Sequence, residues 1–246
     1  MEETGKNPIQ VAERLFQVIE RLAENGPMGI MDLSAELGFH KSTTHRLVTS
    51  LQYMGYIRQD EESLKYALSL KFLEIGSKIL EQTNMASLIH PSLKKLSEQT
   101  GETVHLVRRE GTEAVYIDKV ESTVSSIRMV SRVGSRIPLY CSGVGKALLA
   151  ELPDPEIEDI WNSSEITSLT PYTVTSLSDL MDRIRGVREA GYAMDDEENE
   201  EGVRCIAVSI PDYHKEPVYA LSISAPVSRM TDARIAELAV DVLAFK

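Results

Sequence analysis

Gly38 and Gly55 bracket the stretch that most restricts how this chain can fold. Between them Leu47, Val48, Leu51 and Met54 recur at i, i+1, i+4 and i+7, the stripe of a helix packed on one side. At about 100° per residue the opposite side is Ser42, His45, Arg46, Thr49 and Tyr53. From Leu37 to Gln59 there is no Asp or Glu, although the whole chain has a formal net charge of −12. Lys41, Arg46 and Arg58 fall in this stretch, with His40 and His45. Hydroxyls, an imidazole and a guanidinium on one exposed face can grip phosphate and read base edges. An ordinary amphipathic surface helix has the same periodicity, so the neighbouring segments have to decide.

Upstream, Val11, Leu15, Val18, Ile19 and Leu22 predict a helix over 9–24, ended by Asn25-Gly26-Pro27. A short helix over 30–37 follows, then Gly38, then the polar helix. This is the helix-turn-helix order. After Gly55 the period changes. Tyr56–Gln59 and Leu64–Leu68 flank Asp60-Glu61-Glu62-Ser63, a hairpin placed where a wing belongs. Its three acids argue against deep groove entry, while Arg58 and Lys65 can meet phosphate. The candidate DNA contacts are Lys41, Ser42, Thr43, Thr44, His45, Arg46, Thr49, Arg58 and Lys65; Leu47, Val48, Leu51 and Met54 are expected in the core. Residues 1–70 hold seven Lys/Arg against ten Asp/Glu, so the negative charge lies mostly beyond them.

Residues 69–82 are again helical, with Phe72, Leu73, Ile75, Ile79 and Leu80 as the apolar set. The expected organisation is a winged helix-turn-helix domain over 1–69, a linker helix over 70–83, and a second domain over 84–246. That second domain is predicted to open with a helix over 85–99. Strands follow over 103–108, 114–120 and 126–130, then a loop over 131–142. Helices over 143–152, 156–161 and 177–190 come next, then apolar strands over 203–210 and 218–224 and a last helix over 232–245. Strands joined by turns, with helices to one side, indicate an α+β fold on an antiparallel sheet.

No apolar run of about 18 residues occurs, and the acidic start is unlike a secretory signal. Cys141 and Cys205 make neither a metal pattern nor a disulfide framework, so a cytoplasmic protein is expected. The histidines are scattered and no nucleophile elbow is present. Ser142-Gly143-Val144-Gly145-Lys146-Ala147 fails as a phosphate loop, because Tyr140 and Ala147 replace its first glycine and its Ser/Thr. It still leaves backbone N–H groups open where a helix starts, an anion cradle. No catalytic residue, no cofactor and no metal set is expected. The six acids within 195–201 read as a solvated loop, and Cys205 as a buried structural thiol. Ser222 and Ser224 share one strand face, with Leu221, Ile223 and Ala225 on the other. A pocket wall and a solvent-facing sheet both fit that pattern.

Four segments in order are more specific than any of these signals. They are Gly38–Leu47 followed by Gly55-Tyr56; Arg136–Ala150; Gly191-Tyr192 through Asp195–Ala207; and Ala220-Leu221-Ser222-Ile223-Ser224-Ala225-Pro226. With them the chain resembles the IclR family of bacterial transcription regulators over nearly its whole length. The resemblance implies a winged-helix domain that dimerises, a GAF-like domain that binds a small organic acid, and dimers that pair into tetramers on operator DNA. It implies a pocket lined by Met129, Gly143, Val144, Asp195, Cys205, Ser222 and Ser224. Ala225-Pro226 departs from the commoner Gly-Pro. Amides at Gly143 and Val144 would take a carboxylate, and Ser222, Ser224 and the Cys205 thiol would donate to ligand oxygens. Asp195 would accept from a ligand hydroxyl and repel a bare carboxylate, which favours a hydroxylated acid. The segments 127–134, 64–68 and 102–106 look most like the subgroup answering to 2-keto-3-deoxygluconate, and Arg128 adds a cation there. The function expected is a ligand-responsive repressor of a carbohydrate-acid catabolic operon. The alternatives are an acetate/glyoxylate-type or aromatic-acid-responsive member, or an enzyme acting on a small acid.

Overall fold

The computed structural model describes residues 8–82, 84–122, 130–212 and 216–245. The chain divides into two compact units, Met1–Gln82 and Thr83–Lys246.

In the first unit three helices, α1 (Gln10–Asn25), α2 (Ile30–Leu37) and α3 (Lys41–Tyr53), precede β1 (Ile57–Gln59), β2 (Tyr66–Leu68) and α4 (Lys71–Gln82). Val18, Leu22, Leu33, Leu47, Val48, Leu51, Ile57 and Tyr66 form its core. Gly38 stops α2 in the left-handed region at φ 65°, its N–H reaching Ser34 and Ala35 carbonyls. The Phe39 N–H also reaches Ser34 O, at 3.0 Å. That tight closure re-aims the chain into α3. Met54 is 39% exposed, contrary to its expected place in the core. The reason is that α3 ends at Tyr53 and Gly55, at φ 79°, turns the chain away. The wing is a two-stranded antiparallel ribbon pairing Ile57 with Leu68 and Gln59 with Tyr66. Its second strand is shorter than expected, because Leu64 takes φ 55° and is spent in the turn. Met28 adds two backbone hydrogen bonds to Tyr66, of 3.0 and 2.8 Å.

The start of α4 belongs to this unit. Ser69 Oγ donates to Gly55 O at 2.6 Å and Lys71 Nζ to Met54 O at 2.7 Å. The Lys71 ammonium sits 4.3 Å above the Tyr56 ring, whose other neighbour is Phe72 at 5.3 Å.

The second unit runs α5 (Asn84–Thr100), β3 (Thr103–Glu110), β4 (Glu113–Val120), β5 (Arg136–Pro138), α6 (Gly143–Ala150), α7 (Asp154–Ser163), α8 (Leu177–Ala190), β6 (Ala193–Asp196), β7 (Val203–Ile210), β8 (Tyr219–Pro226) and α9 (Asp232–Leu243). Its sheet is antiparallel throughout, in the order β5-β4-β3-β8-β7-β6. Strand alternation splits the core in two. Val104, Leu106, Ile206, Val208, Leu221 and Ile223 pack against α5 and α9. Val107, Ala207 and Ala220 pack against α6 and α8. Helices therefore cover both faces, not one. The unbroken buried run from Cys205 to Ile210 is the reason, since a strand apolar on both sides needs cover on both. The expected loop over 131–142 contains β5, and most of the strand expected over 126–130 lies outside the described residues. Gly145 allows α6 to press on the preceding segment: a Cβ there would lie 2.2 Å from Leu139 O. Among the described residues no helix is long and apolar enough to cross a membrane.

Candidate functional site

Two surfaces carry recognition chemistry, one on each unit. On the first unit, α3 exposes Lys41, Ser42, His45, Arg46 and Thr49, and the wing exposes Arg58 and Lys65. Thr49 Oγ1 lies 3.5 Å from His45 Nδ1, one turn apart on the same face. No carboxylate pairs with Arg46 among the described residues, which leaves its guanidinium for an outside acceptor. Thr43 is half-buried and lines a groove toward α1 with Val11, Arg14 and Leu15. Thr44 is a correction. It is fully buried, with its hydroxyl on His40 O at 3.3 Å, because it lies one turn before core Val48. It cannot touch DNA from there.

On the second unit, sheet register assembles a polar row. Asp195 pairs with Cys205, Cys205 with Ser224 and Ser224 with Thr103, while Ser222 pairs with His105. The row faces the side of the sheet that α6 covers. The helix start presses so closely that a Cβ on Gly143 would meet Cys205 Sγ at 2.6 Å. Ser142 caps α6 by accepting the Gly145 N–H at 3.1 Å and donates to Pro138 O at 2.6 Å. The amides of Gly143 and Val144 are outside that cap, at the positive end of the helix.

These elements line a cleft that is partly open to solvent. Gly143, Val144, Asp195, Cys205, Ser222 and Ser224 all line it; Met129 lies outside the described residues. Sequence reasoning did not place His105, Tyr116, Ser131, Asn199 and Glu200 there, and all five line it as well. The signal for His105 was available, because it lies between Val104 and Leu106 and so points to the opposite face.

The acidic run is not simply a solvated loop. Asp195 and Glu198 are buried. Asp195 Oδ1 accepts the N–H groups of Glu198 at 2.8 Å and Asn199 at 3.3 Å, folding the loop back on itself. The Glu198 carbonyl accepts the Thr173 hydroxyl at 2.6 Å. Its carboxylate meets Lys146 Nζ at 2.5 Å, with both side chains only 2% exposed. Glu198 Oε2 has no hydrogen-bond partner. Lys146 is thus the counter-ion of a buried acid, not a relic of a phosphate loop. With that lysine committed, burial pushes the Asp195 carboxyl up to about 7, against the pull of Lys146. Burial, helped by Lys119, pushes the His105 imidazole down to about 3. It raises the Tyr116 hydroxyl and the Cys205 thiol, and takes Cys141 up to about 12. The lining therefore presents a neutral imidazole, a phenol, a protonated thiol and serine hydroxyls. It has no thiolate nucleophile, and no Lys or Arg lines it among the described residues. No group of His, Cys, Asp and Glu among those residues could hold a metal ion.

The model of the IclR helix-turn-helix domain matches residues 11–61, and that of the bacterial transcriptional regulator IclR C-terminal domain matches residues 77–245. The chain belongs to the IclR family. Relatives agree with that placement. The acetate operon repressor of Salmonella typhimurium is 37% identical over 96% of this chain and 86% of its own length. The HTH-type transcriptional regulator KdgR of Escherichia coli is 37% identical over 94% of this chain and 89% of its own. The crystal structure of the Thermotoga maritima IclR superposes with a TM-score of 0.79 at 33% identity, covering 96% of this chain and 94% of the other. As an IclR-family member the chain is a DNA-binding transcription regulator and not an enzyme. Equal identity to an acetate operon repressor and to KdgR leaves the effector to be argued from the cleft.

Proposed function

We propose that the chain represses a carbohydrate-acid catabolic operon and releases it when a hydroxylated 2-keto acid, of the 2-keto-3-deoxygluconate type, enters the cleft. The observation that carries this reading is the lining itself: hydroxyls, a neutral imidazole and two acids, Asp195 buried and Glu200 half-buried, with helix-start amides in place of a cationic side chain. A carboxylate suits the Gly143 and Val144 amides. Hydroxyls suit Asp195, Tyr116 and the two strand serines. An aromatic acid would leave many of these polar groups without partners, which costs affinity. A plain glyoxylate- or pyruvate-type acid would use only the amide end.

On the DNA side, Ser42, His45, Arg46 and Thr49 read bases from α3, while Lys41, Arg58 and Lys65 hold phosphate. Dimers, paired into tetramers on the operator, would present two or more such helices to successive major grooves. The effector acts by binding one arrangement of these dimers more tightly than the other. Arg46→Ala should cost about 1–3 kcal/mol of operator binding if the guanidinium reads a guanine. Anisotropy titrations on the operator and on random duplex check this. A similar loss on both would reduce Arg46 to a phosphate contact.

A further inference from the structure

We propose that His105 is the residue that makes this cleft prefer a hydroxylated acid to a plain 2-keto acid, by exchanging its weak serine contacts for the effector's hydroxyl. The inference rests on the effector reading above and deepens it.

His105 is 2% exposed, on β3, and lines the cleft. Its ring nitrogens are unequally held. Nε2 is 2.8 Å from Ser131 Oγ, a full hydrogen bond. Nδ1 is 3.5 Å from Ser222 Oγ and 3.4 Å from Ser224 Oγ, contacts too long to be strong. One side of the imidazole is anchored and the other can exchange partners at small cost. The Tyr116 ring, 5.1 Å away, fixes the plane of the imidazole.

Burial, with the Lys119 ammonium beside the ring, favours its neutral form. Lys119 faces it from β4 and Tyr116 packs beside it. Asp195 and Cys205 line the same cleft from β6 and β7. A neutral imidazole offers one N–H and one lone pair, without a charge to attract a carboxylate. A carboxylate only accepts, so it can satisfy Nδ1 in a single tautomer. A hydroxyl donates and accepts, so it completes either tautomer and can bridge to a serine. The wall formed by His105, Ser222 and Ser224 is therefore matched to hydroxyl groups, and the acid function is left to the amides of α6.

The test is calorimetric binding of 2-keto-3-deoxygluconate and of pyruvate to the full chain and its variants. His105→Leu should weaken the hydroxylated acid about tenfold, the worth of one lost hydrogen bond with its partner left unpaired, and change pyruvate by less than about twofold. His105→Gln keeps a neutral donor and acceptor, and should hold the preference to within about threefold. If the leucine variant melts early, His105→Phe, closer in shape to the imidazole ring, carries the same expectation. Equal weakening of both acids in every variant would mean a purely structural role, and unchanged selectivity would mean no role; either overturns the proposal. Wild-type protein that binds pyruvate but not the hydroxylated acid, or neither, overturns the effector reading and this inference with it.

Discussion

Lys146→Met should destabilise the second unit by about 3–5 kcal/mol, the usual cost of leaving one member of a buried ion pair uncompensated. The Lys146 ammonium is the cation that meets Glu198, and both side chains are 2% exposed. Glu198 Oε2 already lacks a partner. Removing the ammonium would leave a bare carboxylate in a site that also contains buried Asp195. The loop after β6 is held by Glu198 through its backbone as well, so its disturbance reaches the cleft. Urea unfolding measures the loss. The double variant Lys146→Met, Glu198→Gln should recover more than half of it, because the charge that needed the lysine is gone. A single-variant loss below about 1 kcal/mol would mean that water reaches the pair in the folded chain.

Asp195→Asn should have the opposite sign, and only at higher pH. The folded carboxyl titrates near 7 against an ordinary value of 3.8. A folded pKa raised above the unfolded one gives stability that is complete below the unfolded value and lost as pH rises through the folded one. Wild-type protein therefore loses stability through this group between about pH 4 and pH 7. Asparagine cannot ionise, and its side-chain oxygen can still accept the N–H groups of Glu198 and Asn199. The variant should match wild type near pH 4 and exceed it above pH 8 by something on the order of 3 kcal/mol. Melting temperatures across that range check it. A difference independent of pH would show that Asp195 stays ionised throughout.

Lys146→Met acts on an ion pair that the sequence alone could not reveal, and the reason is physical. The winged unit was legible because its signals are local. Helical period, the glycine at the end of α2 and the change of period after Gly55 all act within a few residues. Even the misplaced Thr44 follows the local rule, since it falls one turn before Val48 on the buried side. Lys146 and Glu198 are far apart in the chain and meet only once α6 covers the sheet. Charged residues in a run normally stay in water, so nothing local singled out Glu198. His105 needed register: β8 had to bring Ser222 beside it. Ser222, Ser224, Cys205 and Asp195 were legible because the resemblance supplied their shared place, and the sheet shows how three adjacent strands bring them together.

In the proposed function the second unit senses the acid and α3 reads the DNA. The most direct test is a fluorescence-anisotropy titration of an operator duplex, selected by the protein from random sequence, with and without 2-keto-3-deoxygluconate. The expected result is operator binding at least about a thousandfold tighter than to random duplex at physiological salt. The acid should then weaken it by about five- to 150-fold, the ordinary range of coupling between two sites. Operator affinity that stays the same while the acid is shown to occupy the cleft would contradict the account.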